Sequence, residues 1–132
     1  MSKDKIIVAL DVDSEEKALE LVRELAGEVG AFKAGLELLN VAGPQIFGKL
    51  KDAGADRVFY DAKFHDIPNT VAGAVRAAVR QGVWMVNVHA SGGSAMMKAA
   101  VEAAQDEASK LGIEPPKLIA VIIIIAVTGL KL

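Results

Sequence analysis

"RVFYDAKFHDIPNT", residues 57–70, crowds two aspartates, a lysine and a histidine between an apolar run and a proline. Arg57 to Phe64 reads as a strand. Pro68 suits the first turn of a helix that carries Val71, Ala74, Val75 and Ala78 on one side. Side chains alternate across a strand. Phe59, Asp61 and Lys63 therefore share one face, and the apolar Val58, Tyr60 and Ala62 share the other.

The same strand-then-helix unit recurs on both sides of this stretch. "KIIVALDV", residues 5–12, reads as a strand, followed by a helix capped by Asp13 or Ser14 with Ala18, Leu21, Val22 and Leu25 as its stripe. "AFKAGL", residues 31–36, is the next strand, and its helix carries Ile46, Phe47, Leu50 and Ala53. "MVNVHA", residues 85–90, precedes a long helix with Met97, Ala100, Val101, Ala104, Ala108 and Leu111, ending at Gly112. "KLIAVIIIIAV", residues 117–127, is a fifth strand. Four βα units and a closing strand predict a parallel α/β sheet.

Two architectures fit that alternation. A doubly wound open sheet is complete with five strands, whereas a (β/α)₈ barrel needs about 250 residues. Parity separates them. Asp11 on the first strand, Lys33 on the second, Asp61 and Lys63 on the third, and Asn87 and His89 on the fourth all fall on one face near the strand ends. Phe32, Ala34 and Leu36 fall opposite. A doubly wound sheet is covered by helices on both faces and rarely tolerates such a polar side. The expectation is a TIM-barrel type α/β fold, represented by one (βα)₄β half-barrel domain over residues 1–132.

The chain has 132 residues, of which 52% are hydrophobic and 24% charged, and a net charge of −2. That charge gives no reason to expect nucleic acid or an anionic membrane as partner. The absence of cysteine excludes disulfides and thiolate metal sites. Acids appear too early for a signal peptide. The longest apolar run, residues 118–127, is about half the ~20 residues of a membrane helix. A cytoplasmic protein is expected.

Neighbouring strands lie about 4.8 Å apart, so Lys33, Asp61, Lys63 and Asp66 can form a chain of alternating charge, with Asp11 beside Lys33. An isolated Asp-x-Lys is commonly an inert ion pair. Polar groups facing inward from four strands shift the reading towards a functional site.

"FYDAKFHDIPNTV" resembles the signature of the orotidine 5′-phosphate decarboxylase family, Asp-x-Lys-x-x-Asp followed by Ile-Pro-x-Thr. "ALDVDS", "FKAGLELL" and "VNVHASGG" resemble the same family, over about residues 6–121. The resemblance implies decarboxylation of orotidine 5′-phosphate to UMP, a step of pyrimidine biosynthesis, without a cofactor or metal. Related sugar-phosphate decarboxylases and hexulose-phosphate synthases use magnesium and carry an acid on the second strand; Lys33 at that position argues for the metal-free branch. The resemblance implies that Lys63 stabilises the carbanion and donates a proton. Asp61 then lies against the substrate carboxylate, and Lys33 and Asp11 bind ribose hydroxyls. It also implies a homodimer in which Asp66, Ile67 and Thr70 serve the neighbouring subunit's site.

Other residues read more plainly. His65 is a packing or capping loop histidine in preference to a general base. His89 either supports the site or is a hydrogen-bonded core residue. "SGGS", residues 91–94, is an N-cap turn in preference to an anion site. "AAQDEASK", residues 103–110, is a solvated helix face, and Met96 and Met97 are core filler.

Two departures from the family pattern follow. The family's phosphate-binding arginine and glutamine-bearing loop fall in its second half, beyond residue 132. Its fifth-strand Thr-Ser pair is replaced here by Ile124, Ile125 and Ala126, with Thr128 out of register. A half barrel exposes strand edges, so either two copies are expected to associate, edge to edge or face to face, or the missing half is present but absent from this sequence; activity of a chain this short is expected to be impaired. A non-catalytic, self-associating module is the alternative; a magnesium-dependent sugar-phosphate enzyme is a further one.

Overall fold

A computed structural model describes residues 2–123. Its strands are β1 (Ile7–Ala9), β2 (Ala31–Ala34), β3 (Val58–Phe64), β4 (Met85–His89) and β5 (Lys117–Val121). The helices are α1 (Glu15–Leu25), α2 (Leu36–Ala42), α3 (Ile46–Asp52), α4 (Pro68–Arg80) and α5 (Ser94–Leu111). All pairings are parallel, and the strands lie in chain order, β1-β2-β3-β4-β5. A doubly wound sheet reverses its strand order part-way; this one never does. Successive right-handed crossovers in a single direction put every helix on the same face, as in a growing barrel wall. The architecture is half of a TIM-type barrel.

Burial follows the parity of the strands. Phe32 and Ala34 of β2, Val58 and Ala62 of β3, and Val86 and Val88 of β4 are buried beneath the helices. The other face carries Ile7, Lys33, Phe59, Asp61 and Ile119, and Ile7 and Ile119 are exposed among the described residues. Ser14, rather than Asp13, caps α1, its hydroxyl accepting from the Lys17 amide. Pro68 occupies the first turn of α4.

Several local expectations are corrected. β1 is shorter than residues 5–12, because Lys3–Lys5 forms a 3₁₀ turn before it. β2 ends at Ala34, so Leu36 does not face the helices; it opens α2 and is 60% exposed. The helix α2 was missed altogether. Its stop signal was present in Gly43-Pro44, where Gly43 adopts φ 76° and the helix cannot continue through the proline. Residues 124–128, assigned to the fifth strand or its end, lie outside the described residues.

Of residues 103–110, read as a solvated face, Gln105, Asp106, Ser109 and Lys110 are exposed, but Ala103, Ala104, Glu107 and Ala108 are buried. α4 and α5 pack closely through Val71, Val75, Val79, Ala100, Ala104 and Ala108, small side chains that let two helix backbones approach. Glu107 is buried in this seam, and Arg80 Nε donates to its Oε1 at 2.6 Å. Met96 is buried as expected, and its Sδ lies 2.1 Å from where a Cβ on Gly92 would be, so a side chain there would require the Met96 thioether to move. Arg80→Ala is expected to cost about 1.5–3 kcal/mol, the range for a charged hydrogen bond whose buried partner is left unpaired. Urea denaturation at neutral pH measures this, with Glu107→Gln,Arg80→Ala recovering part of the loss.

Candidate active site

The C-terminal ends of β1 to β4 bring five polar side chains together on the open face. Lys33 Nζ donates to Asp61 Oδ2 at 3.2 Å and lies 3.6 Å from Asp11 Oδ1. Lys63 Nζ donates to the other oxygen of Asp61, Oδ1, at 2.7 Å. Asn87 Nδ2 donates to that same Oδ1 at 2.8 Å. The Asp61 side chain is only 12% exposed, whereas Lys33 and Lys63 remain 25% and 37% exposed. One carboxylate thus organises two ammonium groups and an amide.

Burial by itself pushes the Asp61 carboxyl up. Hydrogen bonds from Lys63, Asn87 and Lys33, in that order, outweigh it and hold the carboxyl below the usual aspartate value. Asp61 is therefore charged at neutral pH.

Lys63 reaches this position through an irregular backbone. Tyr60 pairs with Val86, but Phe64 pairs with Val88, so four steps along β3 match two along β4. The extra residues form a bulge, and Lys63 within it has φ 50°, the only non-glycine positive φ among the described residues. Such a conformation costs about 1–3 kcal/mol and survives where surrounding contacts impose it. Here the Lys63 N–H, lost to the ladder, donates to Asn87 Oδ1 at 2.8 Å.

The expected charge chain stops one link early. Asp66 does not join Lys63; its Oδ1 accepts from the neighbouring Ile67 amide at 2.7 Å. Asp66, Ile67 and Thr70 are all exposed, with Ile67 at 66%. Asp66 and Ile67, with His65, Pro68, Ser91 and Gly92, line an open depression of about 490 Å³. His65 and His89 lie with ring centroids 5.0 Å apart, so the loop histidine packs on the strand-end histidine. The turn at residues 91–94 ends with Gly93 as the cap of α5, and no side chain bonds into the helix start. Asn87, fully buried and bonded to both Asp61 and Lys63, had been assigned to the inner face but not to the site. The signal was its parity: it stands on β4 level with Asp61. Among the described residues no three carboxylate or imidazole groups converge as metal ligands.

A second cavity, about 470 Å³, lies at the opposite end of the strands and is lined by Lys3, Asp4, Gly30, Phe32 and Arg57 among others. Its lysine is already engaged, Lys3 Nζ donating to the Gly27 carbonyl at 2.6 Å. In barrel enzymes the chemistry sits at the C-terminal strand ends, where the Asp61 array is.

A sequentially ordered parallel sheet with a lysine–aspartate array at its C-terminal edge is the architecture of the (β/α)₈-barrel class. The family model described as orotidine 5′-phosphate decarboxylase / HUMPS matches residues 4–129. The chain belongs to that family. It is 53% identical over 123 residues to orotidine 5′-phosphate decarboxylase of Moorella thermoacetica, covering 93% of this chain and 48% of the relative. It is 48% identical over 127 residues to the Syntrophomonas wolfei protein of the same name, covering 96% of this chain and 53% of the relative. Among solved structures, the Lactobacillus acidophilus orotidine 5′-phosphate decarboxylase superposes with TM-score 0.77 at 38% identity, over 87% of this chain and 51% of that one. The Methanocaldococcus jannaschii enzyme complexed with inhibitor BMP gives 0.74 at 30%, over 87% and 50%. The chain spans about half the length of the relatives it matches.

Proposed function

We propose that this chain carries the decarboxylating half of an orotidine 5′-phosphate decarboxylase site, which converts orotidine 5′-phosphate to UMP in cytoplasmic pyrimidine biosynthesis. The observation that carries the reading is the Asp61 carboxylate held by Lys33, Lys63 and Asn87 at the C-terminal strand ends. In the reaction the bond from the pyrimidine ring to its carboxylate breaks, CO₂ leaves, and the electron pair stays on the ring carbon. The Lys63 ammonium stabilises that pair and donates the proton that replaces CO₂; solvent then reprotonates the amine. Asp61 keeps Lys63 charged and aimed, and its own charge faces the substrate carboxylate. Lys33 and Asp11, 3.6 Å apart, bind ribose hydroxyls. No cofactor is needed for this chemistry, and Lys33 stands where metal-dependent relatives carry an acid.

Asp66, Ile67 and Thr70 serve the site of a second copy in a homodimer. Their exposure supports this, since an isoleucine left two-thirds exposed at a strand end gains by being covered. Ile67→Glu is expected to weaken dimerisation by about 10- to 100-fold, from the ~1.5–3 kcal/mol of burying a large aliphatic side chain; sedimentation over a concentration series measures it. The open β1 and β5 edges also favour self-association of a chain of these residues alone.

The activity test is UMP formation from orotidine 5′-phosphate by the chain alone and by the chain joined after Val121 to the C-terminal half of the Moorella thermoacetica relative. Activity restored by the joined half supports the reading. A folded joined protein with no UMP formation rejects it in favour of a non-catalytic, self-associating module.

A further inference from the structure

We propose that Asn87 is a positioning residue of this site, one amide that aims the Asp61 carboxylate and holds the backbone of Lys63 in its bulge. The inference rests on the decarboxylase reading for what the array does, but not for the coupling itself.

The Asn87 side chain is 1% exposed and spends both of its ends on the array. Its Nδ2 donates to Asp61 Oδ1 at 2.8 Å and its Oδ1 accepts from the Lys63 N–H at 2.8 Å. The orientation of the amide is fixed by chemistry, because a carboxylate only accepts and a backbone N–H only donates. The Asp61 oxygen that Asn87 holds is the one that receives Lys63 Nζ at 2.7 Å. Asn87 therefore meets the lysine twice: directly at its backbone, and through Asp61 at its ammonium.

The place in the fold explains the residue type. Were β3 regular, Asp61 and Lys63 would continue in register along β4. The bulge takes Lys63 out of register, and its part-buried N–H needs a replacement acceptor. A hydrophobic residue at position 87 would leave that N–H unsatisfied and give Asp61 one donor fewer. An aspartate would satisfy the N–H but set a second carboxylate against Asp61. Asparagine is a short side chain that meets both demands. Among the described residues the charged groups around Asp61 are Lys33 from β2 and Lys63 from β3, with Asp11 beyond Lys33, and Asn87 adds a neutral donor.

The test is a pH titration of the chain followed by NMR. In the unaltered protein, the Asn87 Nδ2 protons are expected to shift with the same midpoint as the Asp61 carboxyl, and the Lys63 amide to be protected from exchange. In Asn87→Asp the Asp61 carboxyl is expected to titrate at a higher pH than in the parent, while the Lys63 amide stays protected. In Asn87→Leu the Asp61 midpoint also rises, and the Lys63 amide exchanges on the order of tenfold faster, the loss of about one hydrogen bond. Asn87 protons that ignore the Asp61 titration would overturn the proposal. So would an unmoved Asp61 midpoint in folded Asn87→Asp, which is the outcome for a residue that only fills the bulge. The titration uses no nucleotide, so failure to form UMP would reject the decarboxylase reading and leave this coupling standing.

Discussion

Lys63→Ala is expected to lower UMP formation by at least about 10³-fold in the chain completed with a C-terminal half. Two contributions vanish together: the positive charge beside the developing carbanion, and the proton that quenches it. Each is worth roughly 10²-fold or more on its own. The loss should appear in kcat, with a much smaller change in substrate affinity, because the ammonium matters most when charge has moved onto the ring. Lys63→Arg is not expected to restore the rate. A guanidinium keeps the charge but gives up its proton far less readily, and its planar fork does not fit an ammonium's place against Asp61 Oδ1. Steady-state kinetics of the parent and both variants measure this.

Asp61→Ala is expected to have the largest effect on stability among the site substitutions, about 1.5–3 kcal/mol at neutral pH, because its part-buried carboxylate accepts three hydrogen bonds while solvent partly screens the two lysines. It leaves Lys33 and Lys63 without a shared counter-charge and the Asn87 amide without its acceptor. The sign of the pH dependence follows from the carboxyl lying below its ordinary value of 3.8. In the unfolded chain Asp61 protonates near that ordinary value; in the folded chain it protonates only at lower pH. Its stabilisation is therefore fully present above about pH 4–5 and is lost as pH falls through the folded value. Urea denaturation of parent and Asp61→Ala should give curves that are well separated at pH 7 and begin to converge once the pH falls below about 4. A constant separation across that range would mean that the array contributes by packing alone.

The fold was legible because the inner-face residues are polar at matching heights on four strands. Lys33, Asp61 and Asn87 fall on one side by simple alternation, and hydrophobic Phe32, Ala34, Val58 and Val86 fall on the other. Less legible was how Lys63 arrives there. Alternation alone already pairs it with Asp61, but a left-handed lysine in a bulge has no glycine or asparagine at that position to announce it. At the bulge the Lys63 N–H is met by a tertiary contact, the Asn87 acceptor, which local sequence rules do not see. The same limit applies to Glu107, which on helix α5 looks like any surface acid until α4 brings Arg80 against it. Asp66 was misjudged for the opposite reason: sequence proximity suggested a link to Lys63, whereas the loop turns its carboxylate back onto the Ile67 amide.

The central claim is that the Asp61 array is where orotidine 5′-phosphate binds and reacts. NMR mapping of UMP added to the isotopically labelled chain tests it most directly. The account predicts that shifts concentrate at Asp11, Lys33, Asp61, Lys63 and Asn87, and that Lys33→Ala weakens binding. Shifts gathered instead around Lys3 and Arg57, at the cavity on the opposite end of the strands, would contradict it.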